Sequence, residues 1–567
     1  CMNPQSDYKT VRQSAKDALK RIEQIAPSSS ETFSILIRRI SLTIINKDLI
    51  PFLVTKLKSA HSELQNENSI VAHELFKDIS SRFPAILKPH VDQLIRALKE
   101  DDDLLIVDDS LEALSKLSIA FPDETPQDKE SIQRLMDYAL EGSCLQAKFA
   151  AIVLSHIRHK QQICGELLKK IVPKLSITSP NILAHLSVLS QCALYSPKIY
   201  EEKGDAITNF IVKQLIMKSN HKAIESEVDW VDDDELDDEC KAKVLGLKVL
   251  VNRSVAVSET EVAANVAMPV FKLLWTLIRG GGEILPDKST SRLRLAAARS
   301  ILKLTQKKIY DGMITVEQFQ ELALMIQDPC YQVRLAFASR LVKYCGGYQL
   351  HARFLSIFFL IAHDPMKEIK DMVKVFLIRY SQTARTIRSD NSMLIDMTLV
   401  RLIHLLSHHP DFSCEPAGLR EFTVYINFFL DTIADRENIQ FLFHIATRLK
   451  QVRDAQSLDQ CENIYTLSDL TQYLIQAKCK AHSWSSASFP GQSQLPPELF
   501  KNIPNAEVAS EIMKKNYIPN EFLKELEKTH GSSQIRSEKA SKKGRPKSTV
   551  QTPTKKRKVN PESPTRT

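Results

Sequence analysis

Glycine is scarce in this chain, 14 residues in 567, and runs of alternating β-branched residues are missing. A sheet protein is therefore not expected. Leu, Ile, Lys, Glu and Ala are plentiful instead, which favours helix. The ten cysteines stand as singletons, with no C-x-x-C pair and no Cys/His cluster at metal spacing, so they read as small buried apolar groups in a reducing compartment. No apolar run reaches the ~18–20 residues that cross a bilayer; the best candidate, Phe354-Leu355-Ser356-Ile357-Phe358-Phe359-Leu360-Ile361-Ala362, is far too short. A membrane partner is not expected. The phosphate-cradling and dinucleotide glycine motifs, H-E-x-x-H and G-x-S-x-G are all missing. His408-His409 stands beside Pro410-Asp411 with no further ligands evident nearby. The expectation is no catalytic residue, no metal and no cofactor.

What the chain does contain is length, helix-forming composition and a repeat. At 567 residues it is too long for one compact globule, and its 43% apolar content suits several domains or one elongated solenoid. Ser291-Arg292-Leu293-Arg294-Leu295-Ala296-Ala297-Ala298-Arg299 and Tyr331-Gln332-Val333-Arg334-Leu335-Ala336-Phe337-Ala338-Ser339-Arg340 are versions of one phrase, 40 residues apart at Arg294 and Arg334. Asp328-Pro329 introduces the second copy, and Asp364-Pro365 follows 36 residues later with Ile369-Lys370 in the place of Val333-Arg334. Earlier in the chain, Phe83-Pro84 and Phe121-Pro122 end helices at a shift of 38. A period of 36–40 residues is the mark of stacked helical pairs, each too small to bury its apolar stripe alone. The fold expected is all-α, a HEAT-repeat α-solenoid curved into a superhelix, with roughly twelve pairs at ~40 residues each.

The array is expected over 1–482, interrupted by an acidic loop at 225–239, where ten of fifteen residues are Asp or Glu and Trp230 stands among them. Such a block repels itself and is expected to be solvated, with Trp230 either docking a partner or packing back on the stack. Residues 483–530 read as a Pro/Ser-rich linker with a short helical remnant. Residues 531–567 read as a disordered basic tail: they carry eleven Lys or Arg against two Glu, +9, which leaves about −1 of the net +8 for the rest of the chain.

In a HEAT ladder, an Asp in the turn and a cation early in the second helix link neighbouring repeats; Asp328 with Arg334, and Asp364 with Lys370, fit that pattern. The first copy carries a surplus. Arg292, Arg299 and Lys303 fall on one helix face, since seven residues make two turns and four make one. Arg292, Arg294, Arg299 and Arg334 are the candidate partner-binding residues, for an acidic peptide or a phosphate.

From Gln146 onward a series of local phrases appears in a specific order. Gln146-Ala147-Lys148-Phe149-Ala150 is followed by Asn209-Phe210-Ile211-Val212-Lys213-Gln214-Leu215-Ile216-Met217 and by Ser291-Arg292-Leu293-Arg294-Leu295-Ala296-Ala297. Then come Ile314-Thr315-Val316-Glu317-Gln318-Phe319, Asp328-Pro329-Cys330-Tyr331-Gln332-Val333-Arg334, Leu405-Leu406-Ser407-His408-His409-Pro410-Asp411-Phe412 and Arg453-Asp454-Ala455-Gln456-Ser457. Over about 70–500 this series resembles the C-terminal half of the cohesin-associated HEAT-repeat regulators, the precocious-dissociation-of-sisters family, and its divergence has a fungal character. The resemblance implies a non-enzymatic regulator of sister-chromatid cohesion. It would bind the kleisin subunit of cohesin, work with a Wapl-type release factor, and support cohesion maintenance and the cohesin acetyltransferase. No motif here matches an inositol polyphosphate site. The chain opens Cys1-Met2-Asn3 and enters helical periodicity almost at once, so a fragment lacking its N-terminal half is expected.

In the tail, Lys543-Gly544-Arg545-Pro546-Lys547 resembles an AT-hook, whose Gly-Arg-Pro core lies along a narrow A·T-rich minor groove. The usual core has Arg where Lys543 stands. Lys555-Lys556-Arg557-Lys558 reads as a nuclear-localisation signal for an import receptor, flanked by Thr552-Pro553 and Ser563-Pro564, where phosphorylation would oppose the positive charge. The expected location is the nucleus, on chromosomes through DNA contact of the tail. The rival readings are a HEAT-repeat nuclear transport receptor or other scaffold, and an enzyme whose catalytic module lies outside this chain.

Overall fold

The computed structural model describes residues 7–40, 48–59, 67–99, 104–217, 230–280, 287–387, 389–485, 489–491 and 493–528. Within them the chain is all-α apart from one short ribbon, and it divides into two compact units between Phe376 and Leu377. The array expected over 1–482 is thus two bodies. The expected sites of the tail, Lys543 to Lys547 and Lys555 to Lys558, lie outside the described residues.

In the first unit, helices alternate between two rows. One row runs Glu67–Arg82, Leu104–Ala120, Cys144–Leu154, Ile182–Tyr195, Asp238–Ala256, Asp287–Leu304 and Tyr331–Gly346, each helix packing on the next. The other row covers it with Lys129–Glu141, Lys160–Ile171, Ala263–Ile278 and Val316–Leu324. Neighbour-to-neighbour packing of this kind is what makes a repeat stack, and each added pair buries the apolar stripe of the pair before it.

Local chemistry sets the boundaries. Ser143 and Thr315 each open a helix with a reciprocal capping box, to Gln146 and Gln318. Phe83 and Phe121 close the last turns of Glu67–Arg82 and Leu104–Ala120, donating to the Ile79 and Leu117 carbonyls at 2.8 and 2.7 Å. The proline after each cannot continue the helix and starts a 3-10 turn instead, Pro84–His90 and Pro122–Glu124. The apolar run at 354–362 is a 3-10 helix, Ala352–His363, with Phe354, Ile357, Phe358 and Phe359 fully buried in the stack. No helix among the described residues is long and apolar enough to cross a membrane.

The second unit is built from Thr398–Ser407, Pro416–Ile433, Ile439–Arg448 and Cys461–His482. The helix Ile439–Arg448 gives way to a 3-10 turn, Leu449–Gln451. The chain then extends, and Val452–Asp454 pairs antiparallel with Phe500–Asn502, Asp454 opposite Phe500. That ribbon is the small exception to the expected absence of sheet. It also corrects the reading of 483–530 as a linker, since Leu499, Phe500, Ile518, Phe522 and Leu526 are buried. Five large apolar side chains in a Pro- and Ser-rich segment are enough to hold it against a helical surface.

Candidate interaction surface on the repeat helices

The repeated phrase places its arginines at the joints between helical pairs. Asp328 Oδ1 accepts from the Cys330 N–H at 2.9 Å and from Arg294 Nη2 at 3.0 Å, while its Oδ2 accepts from Arg294 Nε at 2.6 Å. One repeat on, Asp364 Oδ1 accepts from the Met366 N–H at 2.7 Å and its Oδ2 from Arg334 Nε at 2.7 Å. Each Asp-Pro turn thus holds its own backbone and the arginine of the preceding pair. The ladder expected from Asp328 with Arg334 runs in a different register. Arg334 donates to the Asp328 and Pro329 carbonyls at 2.8 and 3.0 Å and reaches forward to Asp364, because the Asp328 carboxylate is already taken by Arg294. The Asp328 and Asp364 side chains are 3% and 2% exposed. Charges desolvated to this degree must be paired, so Arg294 and Arg334 are committed to the stack.

Arg292 meets a different partner. Its guanidinium lies 3.7 Å from the Trp230 ring centroid, donates to the Val231 carbonyl and pairs with Asp233. The end of the acidic segment therefore folds back, and Asp237 finishes it as the N-cap of Asp238–Ala256. A cation on a tryptophan face contributes ~0.5–2 kcal/mol, more when desolvated.

Arg299 and Lys303 are the remainder of the surplus, and the structure brings other cations to them. Arg299 is partly buried, its Nε makes no hydrogen bond, and its Nη2 reaches the Ala336 carbonyl at 3.5 Å. Burial and then Arg340 and Arg292 push its pKa down. Lys303 donates to Asn252 Oδ1, and burial, followed by Lys248 and Arg340, lowers its pKa to about 8. Lys248 is lowered by burial and by Lys148, Arg299 and Arg340, and Lys148 by burial and Lys116. None of these five cations, Lys148, Lys248, Arg299, Lys303 and Arg340, is paired with a carboxylate among the described residues. They form a strip along the Cys144–Leu154, Asp238–Ala256, Asp287–Leu304 and Tyr331–Gly346 helices. The intervening helix Ile182–Tyr195 carries no Lys, Arg, Asp or Glu.

A row of cations, Lys248 exposed and the other four half-buried, could receive an acidic chain, whose carboxylates would supply charge-assisted hydrogen bonds. Of the four arginines singled out by the repeat, only Arg299 lies on this strip with its charge uncommitted. Lys148, Lys248 and Arg340 come from distant parts of the sequence. Their one visible mark is a lone cation inside an apolar helical run, as in Leu245-Gly246-Leu247-Lys248-Val249-Leu250-Val251.

Comparison with known proteins places the chain. Residues 1–501 match the family model described as sister chromatid cohesion protein PDS5. The sister chromatid cohesion protein pds5 of Schizosaccharomyces pombe is 29% identical over 534 residues, covering 92% of this chain and 43% of its own length. The Saccharomyces cerevisiae protein PDS5 is 24% identical over 508 residues, covering 80% and 39%. Human PDS5 homolog A is 28% identical over 511 residues, covering 83% and 37%. This chain thus spans about two fifths of the length of the curated relatives it matches. A crystal structure of a Kap121p mutant is similar at 13% identity and TM-score 0.29, covering 91% of this chain and 56% of that one, too remote to carry any argument. With the match running from residue 1 to residue 501, the chain belongs to the sister chromatid cohesion protein PDS5 family.

Proposed function

We propose that this chain regulates sister-chromatid cohesion as a non-enzymatic scaffold, and that its basic strip holds an acidic segment of the kleisin subunit of cohesin. Other surfaces would engage a Wapl-type release factor and the cohesin acetyltransferase. The tail would direct the protein to the nucleus through an import receptor and add DNA contact at Gly544-Arg545-Pro546. The observation that carries the proposal is the row Lys148, Lys248, Arg299, Lys303 and Arg340, unpaired with carboxylates where the ladder arginines of the same helices are fully paired.

The test is binding of purified kleisin to the chain, with Lys248→Glu and Lys303→Glu introduced together. The expected outcome is a loss of affinity of at least about tenfold, 1.4 kcal/mol, with a shallower salt dependence and unchanged helicity. Undiminished binding of the double variant removes the strip from the kleisin site. Binding of a small GTPase with no binding of kleisin favours the transport-receptor reading instead.

A further inference from the structure

The geometry points to a divalent transition-metal site in the second unit, held by His404, His408 and Asp454 and suited to zinc. His404 lies near the end of the Thr398–Ser407 helix and His408 caps it, so a spacing of four puts both imidazoles on one face. Asp454 ends the strand Val452–Asp454, directly opposite Phe500 in the ribbon. His404 Nε2 stands 3.3 Å and His408 Nε2 2.8 Å from the same oxygen, Asp454 Oδ2. One ligand atom from each of the three residues lies within 4.8 Å of the others. A tetrahedral zinc with bonds of ~2.0–2.1 Å sets its ligand atoms about 3.3 Å apart, close to the distances of both imidazoles from Asp454 Oδ2, so loading asks mainly that the two rings turn toward each other.

Hydrogen bonding alone leaves this cluster incomplete. A single carboxylate oxygen faces two imidazoles. His408 takes it at 2.8 Å, and the buried His404 Nε2, 3.3 Å from the same oxygen, makes no well-aligned hydrogen bond. Two largely buried imidazole nitrogens sharing one carboxylate oxygen, one of them poorly aligned, call for a cause. A bound cation provides one, since it uses both Nε2 lone pairs and the Oδ2 charge together. The surroundings already orient the donors. Asp454 Oδ1 accepts from the Gln456 and Ser457 N–H groups at 2.6 and 3.1 Å, which turns Oδ2 toward the imidazoles, and the Phe500 ring meets His404 edge-on at 5.6 Å. Fixed outer-shell contacts of this kind are what hold metal ligands in place. The His404, His408 and Asp454 side chains are 2%, 12% and 0% exposed. Cys461 accepts from the Asp454 N–H at 3.3 Å and lies outside the ligand group, so three protein ligands leave a position for water. A metal here ties the helix end to the ribbon and through it to the segment around Phe500. Its role is a clamp within the second unit.

The test uses the full chain without a purification tag, stripped with chelator and then given zinc. The wild type is expected to keep one equivalent of zinc through desalting and to gain thermal stability from it. His408→Gln, at the most accessible ligand, and Asp454→Asn are expected to bind at least about 100-fold more weakly, beyond what outer-shell changes cause, and to show no zinc-dependent rise in melting temperature. Wild-type protein that keeps no zinc overturns the assignment whether or not the variants fold. Zinc retained equally by wild type and by folded His408→Gln overturns it as well, by placing the metal elsewhere.

Discussion

Two edges of the same helices treat positive charge in opposite ways. Asp287–Leu304 carries Arg294 on one edge and Arg299 with Lys303 on the other, and Tyr331–Gly346 carries Arg334 and Arg340 in the same manner. On the ladder edge each arginine finds a carboxylate one repeat away, at 2.6 Å for Arg294 and 2.7 Å for Arg334. On the strip the cations find one another. The ladder is explained by the fold, because a buried Asp-Pro turn needs a counter-charge at every joint. The strip cations have no carboxylate partner among the described residues, and burial and mutual repulsion lower the pKa of Lys148, Lys248, Arg299 and Lys303. On the proposed reading, charge that the fold leaves without a carboxylate is charge held for a partner.

The largest test of this contrast is Arg334→Ala. It strands Asp364, whose side chain is 2% exposed, and breaking one side of a buried pair costs on the order of 3–5 kcal/mol. Chemical denaturation should show a large drop in midpoint. Kleisin affinity of the protein that remains folded should hold. Preserved stability with lost binding would erase the distinction between the two edges.

A second test reads the strip without any partner. Lys303 has a folded pKa of about 8, below the ~10.4 of a free lysine. Between those values the unfolded chain binds the extra proton, so stability rises with pH across that window, and below about 8 the charged Lys303 is a full burden. Lys303→Met should flatten this slope and raise stability at neutral pH. Denaturation midpoints at a series of pH values for both proteins check it. A wild-type slope that the variant keeps unchanged would mean that neither burial nor Lys248 and Arg340 hold Lys303 below the ordinary lysine value.

How far the sequence revealed these edges follows from the range of each interaction. Periodicity and the Asp-Pro turns are local, and they were sufficient for helical pairs, for the boundaries at Phe83 and Phe121 and for the ladder's residue types. The ladder's register was not local. Whether Asp328 meets Arg334 or Arg294 depends on how pairs stack, and 34 residues separate the true partners. The strip was half legible: Arg299 and Lys303 share a helix face one turn apart, whereas Lys148 lies 155 residues from Lys303 and meets the strip only through packing. The ribbon escaped because Val452–Asp454 is too short to show alternation and its partner lies in a segment with the composition of a linker.

The smallest test concerns the boundary between the edges, where Arg292 is covered by Trp230 and Asp233. Asp233 also lies in the electrostatic field of Arg299, so the acidic segment would compete at the end of the strip with the proposed acidic partner. Trp230→Ala removes the cation–π contact, ~0.5–2 kcal/mol, and should strengthen kleisin binding by about twofold or more. High salt should shrink the gain, because screening loosens the Arg292–Asp233 pair in the wild type as well. Weaker binding in Trp230→Ala would reverse the assignment and make Trp230 part of the docking surface. In that case Arg292 belongs with the strip, and the acidic segment positions the partner rather than competing with it.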